Sequence, residues 1–172
     1  MRAYTSEELR NPAELTELYL DNADVTSEDL PGIVARFPKL IILFLDYNQI
    51  TDVSPLAGLT KLKGLYIVRN HVTDVSPLAG LINLEFLGLT ENQISDVTPL
   101  GGLTRLSELN LNDNQITDVS PLAGLTKLKG LYIARNHVTD VSPLAGLINL
   151  EASYLDSTPI GVTVLTYKQR DN

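Results

Sequence analysis

The chain has 172 residues, 44% of them hydrophobic, a formal net charge of −8 and no cysteine. This length and apolar content fit one folded domain with a sizeable core, and the lack of cysteine excludes disulfides and thiolate catalysis. The negative charge opposes a nucleic-acid partner, because phosphates are bound by clustered Lys and Arg. No stretch reads as a secretory signal or a membrane span, so we expect a soluble chain that stays in the cytoplasm if expressed as given.

The first predicted element is a short helix over residues 5–10. Thr5 stands where it can cap the first turn, Glu8 three residues later can return the bond, and Asn11-Pro12 ends the helix. We predict that residues 1–14 form an N-terminal helical cap. It would cover the apolar end of the structure that follows.

A long first unit comes next, with Leu15, Leu18 and Leu20 as its apolar positions. Its second half spaces Leu30, Ile33, Val34 and Phe37 at a helical period. We therefore predict a true helix in this unit.

From residue 40 to residue 150 the chain repeats every 22 residues with the pattern LxxLxLxxNxVxxVxxLxxL. Its asparagines are Asn48, Asn70, Asn92, Asn114 and Asn136. This spacing is typical of a leucine-rich repeat, in which each coil contributes one short strand and one turn. The prediction is an α/β solenoid of about seven coils, with a concave parallel sheet and convex 3₁₀ or short helical turns, capped at both ends.

The half of each coil that returns to the next strand reads like the segment of residues 51–59. Ser54 can cap and Pro55 suits the first position of a helix, which predicts a tight 3₁₀ turn. Similar segments follow in every regular coil.

Two polar columns accompany the repeat, and both have a structural interpretation. We expect each motif Asn to bond backbone groups of its own coil and the next one. The aspartates can accept turn amides instead of binding calcium, so we predict no metal and no cofactor. They are Asp52, Asp74, Asp96, Asp118 and Asp140.

The pattern changes after residue 150. Ser153 stands in place of a Leu and Thr158 in place of the Asn, and residues 159–167 alternate like a strand. The predicted single domain over residues 1–172 thus has repeats in 15–150 and a C-terminal cap with a terminal strand in 151–172. We expect a monomer, or a weak dimer through this C-terminal edge.

Side chains beside the core leucines should point out of the concave face. One such column is Tyr19, Phe44, Tyr66, Gly88, Asn110, Tyr132 and Tyr154. A second, just before the motif Asn, is Asn22, Tyr47, Arg69, Glu91, Asp113, Arg135 and Ser157. Tyr and Arg are frequent in protein interfaces, although a Tyr stripe can also merely stabilise neighbouring strands.

Charges in the second column should pair at coil spacing. Arg69 and Arg135 flank Glu91 and Asp113. Glu85, Glu91, Glu108 and Asp113 share one face, but an open sheet does little to desolvate them and no His or Cys joins them. We therefore predict a protein that is not an enzyme and has no catalytic residues.

A longer repeat overlies the short one. Residues 48–85 and 114–151 are identical except for Val68 against Ala134. Such a match indicates recent duplication or assembly from idealised modules. It leaves two hypotheses open: a protein-binding module in an engineered or modular repeat protein, and an idealised or designed repeat scaffold with no native ligand.

The segment of residues 114–128 resembles the 22-residue repeats of bacterial internalin-type proteins, and the resemblance covers roughly residues 40–150. It implies a concave face that binds a protein of unknown identity. The candidate contacts that it implies are Phe44, Tyr47, Tyr66, Arg69, Glu91, Asp113, Tyr132 and Arg135, to which the central column adds Tyr154.

Overall fold

A computed structural model describes residues 11–154 of the chain, and side chains as far as residue 151. The predicted helix over 5–10 and the predicted strand over 159–167 lie outside the described residues. Of the predicted N-terminal cap, the structure describes only a 3₁₀ turn at Pro12–Glu14.

The sheet confirms the repeat. Its strands are all parallel and lie in chain order, so each coil adds one strand beside the last. The register advances by 22 residues from the second strand onward, as Ile42 opposite Gly64 shows, and by 25 residues before it. The strands are β1 Glu17–Tyr19, β2 Ile42–Phe44, β3 Gly64–Tyr66, β4 Phe86–Gly88, β5 Glu108–Asn110, β6 Gly130–Tyr132 and β7 Ala152–Tyr154.

The return halves are helical turns, as predicted. The long first coil contains helix α1, Leu30–Arg36, which buries Leu30. The regular coils contain 3₁₀ turns at Ser54–Gly58, Ser76–Gly80, Thr98–Gly102, Ser120–Gly124 and Ser142–Gly146. A proline occupies the first turn of each, where its missing N–H costs no hydrogen bond.

The expected capping role of Ser54 is wrong. Ser54 is the first residue inside its turn, and no side chain of the flanking residue caps it. Instead the Asp52 carboxylate accepts the backbone N–H of Ser54 at 2.8 Å, two residues away. The other aspartates of the column do the same, because an Asp side chain readily bonds the amide two residues on.

The core is a ladder of the same leucines repeated from coil to coil. Leu43, Leu65, Leu87, Leu109 and Leu131, at the centres of successive strands, are all buried. The apolar residues of the turns join them in one continuous cluster. Each coil therefore buries its apolar surface mainly against its two neighbours.

The motif asparagines hold adjacent coils together. The Nδ2 of Asn70 donates to the carbonyl oxygens of Val68 in its own coil and of Leu45 in the preceding coil. Its Oδ1 accepts the N–H of Ile50, also in the preceding coil, at 2.9 Å. The expected contact with the next coil is wrong in direction, because the side chain points back toward the coil before it.

Candidate interaction surface on the concave sheet face

Strand pairing brings the predicted central column into one row across the sheet. Tyr19 lies opposite Phe44, Phe44 opposite Tyr66, and Tyr66 opposite Gly88. The row continues through Asn110 and Tyr132 to the backbone of Tyr154 in β7, whose side chain lies outside the described part. In the regular strands, each of these residues stands between two buried apolar residues. The row therefore lies on the face opposite the core, here called the concave face.

An aromatic stack occupies the first three coils of this face. The rings of Tyr19 and Phe44 have centroids 4.5 Å apart and those of Phe44 and Tyr66 4.7 Å, and the two rings of each pair are nearly parallel. These spacings match the separation of about 4.8 Å between neighbouring strands. Phe44 and Tyr66 are half-buried as a result.

The stack ends at Gly88. A Cβ added at this residue would lie 3.1 Å from Cδ1 of Tyr66 and 3.6 Å from Cγ2 of Val68. The Tyr66 ring therefore leans over the glycine, and a larger residue there would have to displace it. Burial, and the negative charges of Glu108 and Asp46, raise the pKa of Tyr66 above its usual value.

The second predicted column adopts an unexpected backbone conformation. Each of its described members has a positive φ between 51° and 58°, in the left-handed region that side chains usually avoid. They are Asn22, Tyr47, Arg69, Glu91, Asp113 and Arg135. The conformation costs about 1–2 kcal/mol for most residue types. It changes the direction of the backbone just after each strand ends.

The predicted charge pairs of this column are present. Arg69 Nε lies 2.7 Å from Glu91 Oε2, and its guanidinium carbon lies 5.0 Å from the centre of the Tyr47 ring. Arg135 pairs with Asp113 through two nitrogens. The exposed row thus reads aromatic, cation, anion, anion, cation from the first regular coil to the fifth.

The two-column interpretation missed one exposed aromatic residue. Phe86 starts β4 and leaves 39% of its surface exposed, in a third row that also contains Ile42, Gly64, Glu108 and Gly130. Strict alternation along the strand would have found it, since Phe86 and Gly88 lie on the same face. Tyr47, which the sequence did predict, is 51% exposed.

Three of the four carboxylates that could suggest hydrolytic chemistry form separate ion pairs. Glu85 binds Lys63 at 3.0 Å, Glu91 binds Arg69 and Asp113 binds Arg135. Each of the three therefore has its own cation.

The aspartates of the column accept hydrogen bonds from the 3₁₀ turns that follow them. Hydrogen bonds from Ser54, Ser76, Thr98 and Ser142 lower the pKa of Asp52, Asp74, Asp96 and Asp140, respectively. Within residues 11–151, no group of three or more His, Cys, Asp or Glu side chains is placed to hold a metal ion. No helix in the described part is long and apolar enough to cross a membrane.

Comparisons with known proteins agree with this geometry. The family model for leucine-rich repeats in two copies matches residues 38–80, 60–102 and 82–124. A crystal structure of an internalin (InlF) from Listeria monocytogenes is 40% identical, with a TM-score of 0.76, over 86% of this chain and 42% of that one. Internalin C2 from the same organism is 34% identical, with a TM-score of 0.61, over 83% of this chain and 81% of its own.

A more distant structural match comes from a plant. The leucine-rich repeat ectodomain of the Arabidopsis thaliana membrane receptor kinase GASSHO1/SCHENGEN3 was solved in complex with Casparian strip integrity factor 2. It is 26% identical, with a TM-score of 0.62, over 72% of this chain and 16% of that one. A comparison with curated proteins found no match.

Proposed function

The chain belongs to the leucine-rich repeat family, and from this premise we propose that it binds a protein partner on its concave face. Leucine-rich repeat domains are typically protein-interaction modules. The plant ectodomain described above was solved with a bound partner, which supports the same use of this fold. We infer that the chain is a binding domain without catalytic activity.

The single observation that supports this proposal best is the exposure of two aromatic side chains beside the stack. Cross-strand stacking accounts for the rings of Tyr19, Phe44 and Tyr66, because each covers its neighbour. It does not account for Tyr47 and Phe86, which remain exposed. Aromatic side chains left open on a sheet face are the residue type that dominates the affinity of protein interfaces.

These residues define two halves of the face. The N-terminal aromatic patch consists of Phe44, Tyr47, Tyr66, Arg69 and Phe86. The C-terminal polar patch consists of Glu91, Asp113, Tyr132 and Arg135, and the predicted contact Tyr154 would extend it. We expect the aromatic patch to provide most of the affinity and the polar patch to orient the partner.

The duplicated blocks help to separate the two halves. Tyr66 and Arg69 have exact counterparts in Tyr132 and Arg135, but their neighbours differ. Phe44 and Tyr47, just before the first block, correspond to Asn110 and Asp113, just before the second. The same Tyr and Arg thus stand once among aromatic residues and once among polar ones.

Affinity capture tests the proposal. The full chain, a Tyr47→Ala/Phe86→Ala variant and an Ile82→Ala control are immobilised, and proteins retained from a mammalian cell-surface extract and from a bacterial lysate are identified. Ile82 is 58% exposed but lies outside the sheet, so the control also removes an exposed apolar side chain. All three changes are at exposed positions and should leave the fold intact.

We expect a protein that the native chain and the control retain and the double variant loses. A partner held equally by all three would show that the aromatic patch is not the binding surface. If the native chain retains nothing specific, the second hypothesis is favoured: an idealised or designed repeat scaffold without a native partner. The near-identity of the two blocks is the observation that favours that hypothesis.

A further inference from the structure

A polar groove of about 580 Å³ lies where the chain passes from each 3₁₀ turn to the next strand. It is lined by Glu85, Arg105, Ser107, Lys127, Lys129 and Asn149. These residues occupy two equivalent positions in successive coils. Arg105 and Lys127 each lie three residues before the start of their strands. Their backbones in the two neighbouring coils are therefore about one strand spacing of 4.8 Å apart.

The groove is positively charged within a chain whose net charge is −8. Its one carboxylate, Glu85, is bound by Lys63 at 3.0 Å. Lys129 is only loosely paired, at 3.9 Å from Glu151, and Arg105 uses one nitrogen to bond the Asn83 side chain. Lys127 has no carboxylate within 4.0 Å among the described residues.

The first block shows what the same residues do in another setting. Lys61 and Lys63 have the same local sequence as Lys127 and Lys129. There, Lys63 is bound to Glu85, and the cation of the preceding coil, Lys39, is held by both oxygens of Glu14 at 2.7 and 2.8 Å. The second pair instead stands beside Arg105 and Ser107, so its charge is less neutralised.

An exposed apolar residue neighbours one of the lining residues in the chain. Ile148 immediately precedes Asn149 and is 86% exposed, the largest exposure among the bulky apolar residues of the described part. A ligand that spans the groove could pair anionic groups with the cations and place an apolar group on Ile148. A sulfated sugar has the anions but gains little from the isoleucine, whereas an acidic peptide can use both.

We propose that this groove binds an acidic peptide segment of a protein, with carboxylates on Arg105, Lys127 and Lys129 and an apolar side chain on Ile148. None of the lining residues belongs to the two predicted columns of the concave face, and the inference stands if the concave-face proposal fails.

The test measures binding of a fluorescent hexapeptide in which pairs of glutamates alternate with single leucines. A peptide with glutamine in place of glutamate and a heparin-derived hexasaccharide serve as comparison probes. The variants are Lys127→Gln/Lys129→Gln and, as a control with the same charge change outside the groove, Lys39→Gln/Lys61→Gln. A third variant, Ile148→Ser, tests the apolar contact.

We expect Lys127→Gln/Lys129→Gln to weaken binding of the acidic peptide about tenfold and the control pair to change it less than about twofold, since only the first pair lies in the groove. Ile148→Ser should weaken peptide binding and leave the hexasaccharide unaffected. Equal losses from the two lysine pairs would reduce the effect to general charge attraction and overturn the proposal. A hexasaccharide that binds more tightly than the peptide, with no effect of Ile148→Ser, would overturn it in favour of a sulfated carbohydrate.

Discussion

At the scale of single residues, the motif asparagine has the largest structural role. Asn92 is buried, and its Oδ1 accepts the N–H of Val72 at 3.0 Å. Its Nδ2 donates to the carbonyl oxygen of Ile67 at 2.8 Å, also in the preceding coil, and more weakly to Leu89 and Thr90. One side chain thus satisfies buried backbone groups that the short strands leave without partners.

Replacing Asn92 with Leu should therefore destabilise the protein severely. At least two buried backbone groups would lose their partner, at about 1–3 kcal/mol each, so we expect a loss of about 2–6 kcal/mol in the free energy of unfolding. Urea denaturation followed by circular dichroism measures it. Gln93→Leu makes a similar chemical change at the adjacent exposed residue and should cost less than about 0.5 kcal/mol. Similar losses of stability in both variants would contradict this structural role of the motif asparagine.

The sequence predicts the role of the motif asparagine well. It does not predict the left-handed backbone conformation of the residue just before each asparagine. Asn recurs at a fixed spacing between buried apolar residues, so its amide has to bond backbone groups. Tyr47, Arg69 and Glu91 belong to residue types that rarely adopt a positive φ, and nothing in their order indicates one. The structure shows that each of these functional candidates lies at the same left-handed position of its own coil.

At the scale of the elements, the 3₁₀ turns stack closely on one another on the side opposite the sheet. Their sequences are nearly uniform, with Ala at the fourth position in Ser54–Gly58 and three others, but Thr98–Gly102 has Gly101 there. A Cβ added at Gly101 would lie 2.6 Å from the carbonyl oxygen of Pro121 in the next turn, and one added at Gly102 would meet nothing within 4 Å.

This difference predicts opposite effects for two neighbouring substitutions. Gly101→Ala restores the residue found in the other turns, yet it should lower the free energy of unfolding by about 1–3 kcal/mol because backbone would have to move. Gly102→Ala should be close to neutral. Thermal or urea unfolding of the two variants decides the matter, and a stabilised Gly101→Ala protein would show that sequence uniformity, not this contact, governs the turn.

The turns were also the element whose sequence interpretation needed correction. Serine before proline favours a capping role, but the turn begins one residue earlier than that role requires. Asp52 and its equivalents then supply the acceptor. Boundaries that depend on one residue are set by the geometry of the coil, which the sequence spacing does not fix.

At the scale of the whole molecule, the period of 22 residues was enough to predict the parallel sheet, its register and the ladder core. Repetition does this because each coil buries its leucines against identical neighbours. The exposed face was predicted less completely. Phe86 was missed, and contact between neighbouring aromatic residues was only an alternative interpretation of the column, since ring orientation depends on the glycines in adjacent strands.

The central claim is that the N-terminal aromatic patch provides the affinity for a protein partner, and the two equivalent arginines test it most directly. Once capture has identified a partner, its dissociation constant is measured for the native chain, Arg69→Ala and Arg135→Ala. Both side chains are exposed and paired with a carboxylate, but only Arg69 also lies over an aromatic ring. We predict that Arg69→Ala weakens binding about tenfold or more and Arg135→Ala less than about threefold. Equal losses, or a larger loss from Arg135→Ala, would contradict the assignment of the binding surface to the aromatic half of the sheet.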